Sequence, residues 1–339
     1  MAASVPLDLG LDAEAAVSRC YVNIDIVTDG GQSRDMRPTS RRPHRIARTL
    51  VLMSGLLVGG CAPPETSPTV AIPSRTSAAP TASPTTSVTP SAADAPITSE
   101  QPLFAFNGDE PRIRIYRPDP SPSGKVPLLL FLHALGESPA KAASETGFDR
   151  LAGRERFIAV FPPASGRGWA ASVTSGLPDD GVDARWLTAL LDHLLATEPI
   201  DPDRVFVAGF SIGAVMTDKV ACQLADRVAA AVVVAGAPWV GADCAPKQPV
   251  SMLIIHGTDD PTFPYSGAMA LATQWRGLDH CRGMAPEATV GSDAMRVSAI
   301  GCASDTAVDL VTVRDGVHMW FTDPDATTLA WEFLTDHGR

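Results

Sequence analysis

From about residue 100 onward, short apolar runs alternate with stretches whose apolar residues recur at helical spacing. The strand-like runs are "RIRIYRP" (core 113–117), "PLLLFLH" (127–133), "RFIAVFPP" (156–163), "RVFVAGF" (204–210), "AAAVVVAG" (229–236), "VSMLIIHG" (250–257) and "DLVTVRDG" (309–316). Helical segments lie over 183–198, 212–225, 266–279 and 324–337. A strand that is apolar throughout needs cover on both faces, and strands separated by helices pair in parallel. The alternation predicts one α/β domain over 101–339, a mostly parallel sheet with helices on both faces.

The first hundred residues read differently. Thirty prolines in 339 residues are too many for one compact domain, so part of the chain is expected to be linker. Residues 62–98 are Pro, Ser, Thr and Ala with few large apolar groups. Such a stretch cannot bury enough surface to offset its ordering entropy. As a flexible coil it would reach about 35 Å. Before it stand the basic "RPTSRRPHRIAR" and the apolar "TLVLMSGLLVGGC". That apolar run is too short to span a bilayer and fits a secretory signal. Val58-Gly59-Gly60-Cys61 resembles a bacterial lipobox, whose cysteine is lipidated and becomes the mature N-terminus. Met36 opens a signal of ordinary length over 36–60, so residues 1–35 are expected to be absent from the mature protein. The expected organisation is thus signal, Cys61 anchor, linker over 61–100, then the domain. The protein would be exported, and either lipid-anchored to the cell membrane or secreted.

The net charge of −11 argues against a nucleic-acid partner, which needs a basic face. The cysteines form no CxxC pair and no cluster with histidine at metal spacing. No metal site and no organic cofactor are expected.

One junction of strand and helix carries chemistry. Gly209-Phe210-Ser211-Ile212-Gly213 matches G-x-S-x-G, the nucleophile elbow, in which a tight turn lifts a serine above the sheet edge. A serine nucleophile needs a base, and the base needs an orienting acid. In chain order these follow as an acid and then a histidine, each past a later strand. After "VSMLIIHG" come Asp259 and Asp260; after "DLVTV" comes His318 in "RDGVHMW". Asp260 is preferred as the acid, with Asp259 more suited to capping the turn. An oxyanion needs two preorganised donors. The Ile212 amide is one, and the "HALGES" loop (133–138) is expected to supply the other through Leu135. His133, Trp169 and Trp320 are candidates for lining a substrate cleft.

Together these stretches resemble the family of polyhydroxybutyrate depolymerases and feruloyl or acetylxylan esterases, over about 110–338. "DPDRVFVAGFSIGAVMT" is similar to that family's nucleophile segment, and "IIHGTDDPTFPY" to the segment carrying its triad aspartate, which selects Asp260. "GVHMW" followed by "PDATTLAWEFL" is similar to the ending that carries the triad histidine. The chain departs from the family pattern at Ala134, at Ile212 and Ala214, and at Phe321, all near the cleft, where substrate preference is set. The resemblance implies an α/β-hydrolase fold, with disulfides Cys222–Cys244 and Cys281–Cys302.

The expectation is a monomeric serine ester hydrolase acting on short-chain acyl, hydroxycinnamoyl or polyhydroxyalkanoate esters. Two other classes stay open: a non-catalytic binding lipoprotein on a hydrolase scaffold, and a serine peptidase of the same fold.

Overall fold

The computed structural model describes residues 97–102, 105, 106, 108, 111–171, 181–239 and 244–339. The expected signal, Cys61 and the linker up to residue 96 lie outside these. In chain order the elements begin with β1 (Ile97–Pro102), β2 (Arg112–Arg117), β3 (Val126–Leu132), α1 (Pro139–Thr146), α2 (Phe148–Glu155), β4 (Ile158–Phe161), α3 (Val182–Thr197) and β5 (Ile200–Phe210). There follow α4 (Ile212–Gln223), β6 (Ala230–Val234), β7 (Ser251–Gly257), α5 (Tyr265–Leu278), β8 (Gly283–Met284), β9 (Ala288–Val290), β10 (Ala294–Ile300), β11 (Val308–Val313) and α6 (Ala326–Asp336).

The strands form one sheet in the order β1-β2-β4-β3-β5-β6-β7-β11-β10-β8, with β9 also on β10. The six from β4 to β11 along this path run parallel. β1 and β2 extend one end antiparallel, and β10 with its short partners extends the other. β1 takes in residues 97–100, which composition alone assigns to the linker. Their backbone pairs with β2, and the Ser99 hydroxyl accepts a 2.7 Å hydrogen bond from Arg117. Ladder bonds of this kind use the backbone and leave little mark on composition.

Successive side chains of a strand point to opposite faces, so each central strand feeds two cores. Leu128, Leu130 and Leu132 of β3 join Trp186, Leu190 and Leu194 of α3, Val215 of α4 and Leu271 of α5. Leu129 and Phe131 of the same strand join Phe148 and Leu151 of α2 and Trp331 and Phe333 of α6. Both faces are covered, as the uninterrupted apolar strands predict.

The expected disulfides, Cys222–Cys244 and Cys281–Cys302, are both formed. Among the described residues no helix is long and apolar enough to cross a membrane.

The route of the chain makes a crevice. From β3 it passes through α1 and α2, on the face that carries Phe148, to β4. From β5 it passes through α4, on the opposite face, to β6. β3 and β5 are neighbours, so at their C-terminal ends the two connections part in opposite directions. Such a switch point is where open α/β sheets place their ligands.

Candidate active site

Ser211 sits at this switch point, between the last residue of β5 and the first of α4. Its backbone has φ 59° and ψ −125°, outside the regions a side-chain-bearing residue prefers. The flanking glycines explain how the turn closes. A Cβ on Gly209 would lie 2.4 Å from the carbonyl oxygen of Gly213. One on Gly213 would lie 2.0 Å from the Leu132 carbonyl oxygen and 2.6 Å from that of His133. The first turn of α4 therefore rests directly on the end of β3, and a side chain at either glycine would push it away.

The three residues that the sequence proposes as a triad lie past β5, β7 and β11, and they meet. The Ser211 hydroxyl is 2.9 Å from His318 Nε2, and His318 Nδ1 is 2.8 Å from Asp260 Oδ2. With Nδ1–H donating to the carboxylate, Nε2 is left to accept from the serine. The other carboxylate oxygen, Oδ1, accepts from the amides of Thr262 at 2.8 Å and Phe263 at 2.9 Å. Asp260 is thereby fixed in position as well as buried. Asp259 turns away: its carboxylate accepts from Thr258 Oγ1 and its amide donates to the Gly316 carbonyl.

Two aromatic rings that the motifs do not mark hold the imidazole. Phe210 stacks on His318 with centroids 5.1 Å apart and planes at 27°, and Phe263 approaches at 5.9 Å. Trp320 packs edge-on against Phe131, Phe148 and Phe210. The signal for Phe210 and Phe263 lay in their chain positions, one beside Ser211 and one three residues past Asp260.

His256, one residue before the end of β7, is fully buried behind Asp260. Its Nε2–H donates to the Phe263 carbonyl at 2.9 Å and lies 3.5 Å from Asp260 Oδ2. Burial pushes its pKa down, so it stands neutral. It ties the strand end to the loop that holds the carboxylate.

The loop after β3 has one conspicuous backbone group. The Ala134 amide donates to Glu137 Oε2, Gly136 to the Arg167 carbonyl, and Glu137 to the Ala134 carbonyl. Of the four amides from Ala134 to Glu137, only that of Leu135 has no acceptor among the described residues. The Leu135 side chain is 51% exposed.

The cleft-lining role expected for His133, Trp169 and Trp320 needs correction, because all three are buried. His133 accepts from the Ala164 amide through Nε2 at 3.2 Å and donates from Nδ1 to the Ala134 carbonyl at 2.8 Å. Burial lowers its pKa, which keeps the ring in this neutral form. Trp169 donates from Nε1 to the His133 carbonyl at 2.9 Å, and Trp320 donates to Thr327 Oγ1 at 3.0 Å. Each braces the floor of the site, with its polar atoms already committed. Among the described residues no group of three metal-ligating side chains gathers.

Residues 182–279 match the model of the phospholipase/carboxylesterase family. The chain is 30% identical over 234 residues to the putative esterase NocK of Nocardia uniformis subsp. tsuyamanensis, covering 66% of this chain and 67% of that one. It is 28% identical to a probable feruloyl esterase C of Aspergillus terreus, covering 68% of this chain and 85% of that one. A bifunctional acetylxylan esterase/xylanase of Neocallimastix patriciarum is 30% identical over 177 residues, and the match spans only 25% of that protein's length. Among solved structures, the acetyl xylan esterase from Aspergillus awamori aligns with a TM-score of 0.57 at 17% identity, covering 70% of this chain and 99% of that one. By the length and identity of these matches and by its fold, the chain belongs to the feruloyl esterase-like family of α/β-hydrolases, a family of carboxylic ester hydrolases.

Proposed function

We propose that the protein is an exported serine ester hydrolase whose triad is Ser211, His318 and Asp260. The observation that carries this reading is the unbroken hydrogen-bonded chain from the Ser211 hydroxyl through both nitrogens of His318 to an Asp260 carboxylate fixed on its far side. Ser211 Oγ attacks the ester carbonyl carbon while His318 Nε2 takes its proton. The carbonyl electron pair moves to oxygen, and the Ile212 and Leu135 amides hold the oxyanion. Collapse breaks the bond to the alcohol oxygen, which leaves with the proton from His318. Water then attacks the acyl-serine by the same path in reverse, releasing the acid and the free hydroxyl. Asp260 keeps the imidazole in the right tautomer and stabilises its cationic form throughout.

The substrate side favours an apolar acyl or aroyl group. Leu135, Val317 and Met319 are the large exposed apolar side chains beside the candidate oxyanion loop and His318. A short-chain acyl, hydroxycinnamoyl or hydroxyalkanoate ester would present such a group. The substrates named for the Aspergillus and Neocallimastix relatives, feruloyl and acetylxylan esters, are of this kind. Export with lipid on Cys61 is part of the proposal and rests on the sequence of residues 36–61.

Initial rates test the reading. Residues 97–339, produced in an oxidising compartment, are assayed with p-nitrophenyl acetate, butyrate and octanoate, methyl ferulate and a poly(3-hydroxybutyrate) suspension. Ser211→Ala is expected to lose at least about 10⁴-fold in kcat, the scale seen when a triad member is removed. A folded wild-type protein with no rate above Ser211→Ala on any of these esters would overturn it. N-terminal peptide mass analysis of the native protein tests the anchor: a diacylated Cys61 supports it, and peptides from residues 1–35 refute it.

A further inference from the structure

We propose that Asp183 is a positioning residue for the oxyanion loop; this rests on the esterase reading above. Asp183 lies in the first turn of α3, is 0% exposed, and belongs to none of the triad strands. Its two carboxylate oxygens are both engaged by one loop. Oδ1 accepts from the Ser165 amide at 2.8 Å, and Oδ2 accepts from the Ala170 amide at 2.7 Å. The carboxylate clamps the segment 165–170, which follows β4, at both of its ends.

That clamped segment in turn holds the loop after β3. Trp169 Nε1–H donates to the His133 carbonyl at 2.9 Å. The Arg167 carbonyl accepts from the Gly136 amide at 2.6 Å. The neighbouring Ala164 amide donates to His133 Nε2 at 3.2 Å, and the rings of His133 and Trp169 lie 5.2 Å apart. Three hydrogen bonds thus converge on residues 133 and 136, and Leu135 lies between them. The same His133 carbonyl abuts the first turn of α4, where a Cβ on Gly213 would lie 2.6 Å from it.

A buried carboxylate is costly unless hydrogen-bonded, and this one is answered by two amides and by the positive end of α3. An apolar side chain would fill the same volume without that cost, so burial alone gives no reason for an acid here. What the acid supplies is two acceptors that fix the geometry of a loop without secondary structure. An oxyanion donor acts only when it is already aimed, and small displacements of such groups lower rates sharply.

Asp183→Asn keeps the volume but turns one acceptor into a donor facing an amide. With p-nitrophenyl acetate, kcat is expected to fall about 10- to 100-fold with KM within about threefold of wild type. Affinity for a trifluoromethyl ketone inhibitor should fall in parallel with kcat/KM, because the bound hemiketal needs the same donors. The pH midpoint of kcat/KM should stay in place, since His318 and Asp260 are untouched. Amide exchange over 133–137 should quicken about tenfold while peptides over 205–216 do not change. Trp169→Phe, which removes the Nε1–H donor together with part of a buried ring, should show the same pattern more weakly, and it decides the matter if Asp183→Asn is recovered unfolded. Exchange and kcat both within twofold of wild type would overturn the proposal. So would a lower kcat accompanied by a shifted pH midpoint or by faster exchange over 205–216, which is the mark of general loosening. A wild-type protein without Ser211-dependent turnover refutes the esterase reading; the exchange measurement still decides whether Asp183 holds the loop.

Discussion

Ser211 holds a backbone conformation that costs on the order of 1–3 kcal/mol for a residue with a side chain. The cost is met by neighbours that leave the turn no alternative. Its amide donates to the Val234 carbonyl, the last residue of β6, and its carbonyl accepts from Ala214 and Val215. Gly213 is the residue on which this closure depends most. Gly213→Ala would force a methyl group against two carbonyls that belong to a packed strand end. The expected loss is about 3 kcal/mol of unfolding free energy, at the upper end for overpacking, with kcat down at least about tenfold. Urea unfolding beside initial rates checks both. Stability within about 0.5 kcal/mol of wild type would show that the end of β3 yields and that Gly213 is not held against it. At this scale the geometry was legible in the sequence, because G-x-S-x-G states a steric requirement and the chain order of Ser211, Asp260 and His318 places them past strands that bring their side chains together. His133, Trp169 and Trp320 were read less well. Their types fit a cleft, but their hydrogen-bond partners come from 31 to 36 positions away or from a later helix, and no local pattern encodes that.

The elements divide by how much of their role is carried by their own residues. Central strands such as β3 and β7, buried at every position, were plain in sequence because cover on both faces demands unbroken apolar character. α1 and α2, with eight residues each, are too short for a helical period to stand out. β1 and β10 sit toward the sheet ends, where one face or one side is less demanding. α4 is buried from Ile212 to Cys222, so its pattern lacks the polar stripe of a surface helix, and its polar residues need partners inside. Asp218 finds them in the Trp239 amide and the Trp275 indole, both at 2.7 Å, while burial pushes its pKa to about 6.

Asp279, at the end of α5, is the cleaner case for measurement. Burial pushes its pKa up to about 6, against the opposing pull of the Thr306 hydroxyl and the Val250 amide, which reaches Oδ1 at 3.3 Å. Its folded pKa lies above that of the unfolded chain. Its contribution is therefore fully favourable below about pH 4 and is lost as pH rises through about 6. Asp279→Asn removes this dependence. The stability of the variant minus that of wild type should rise by up to about 3 kcal/mol between pH 4 and pH 7. A difference that is flat across that range, by thermal or urea unfolding, would refute it.

On the scale of the whole molecule, both disulfides lie in the half of the sheet that carries Asp260 and His318. Cys222–Cys244 joins the end of α4 to the segment after β6, and Cys281–Cys302 joins the end of α5 to the approach to β11. Loops of 22 and 21 residues closed in this way contribute about 3 kcal/mol each in the chain-entropy model. The double variant Cys281→Ser with Cys302→Ser is expected to lose about that much stability, yet to keep kcat within about threefold, because β7 and β11 remain paired along their whole length. A large loss of kcat at a temperature where the variant is fully folded would show that the bridge shapes the site itself. The pairing was implied by family resemblance alone, since no spacing rule selects one connectivity among four cysteines.

Ser211 and His318 stand 107 residues apart in the chain, and 58 residues separate His318 from Asp260. The strands that deliver them are not all neighbours: β6 and β7 intervene between β5 and β11. The three side chains come within reach of one another only when β5, β6, β7 and β11 are aligned side by side. For the triad proposed above, turnover would report the assembly of these strands, and an opening that parts β7 from β11 would silence it while the core around β3 is still intact.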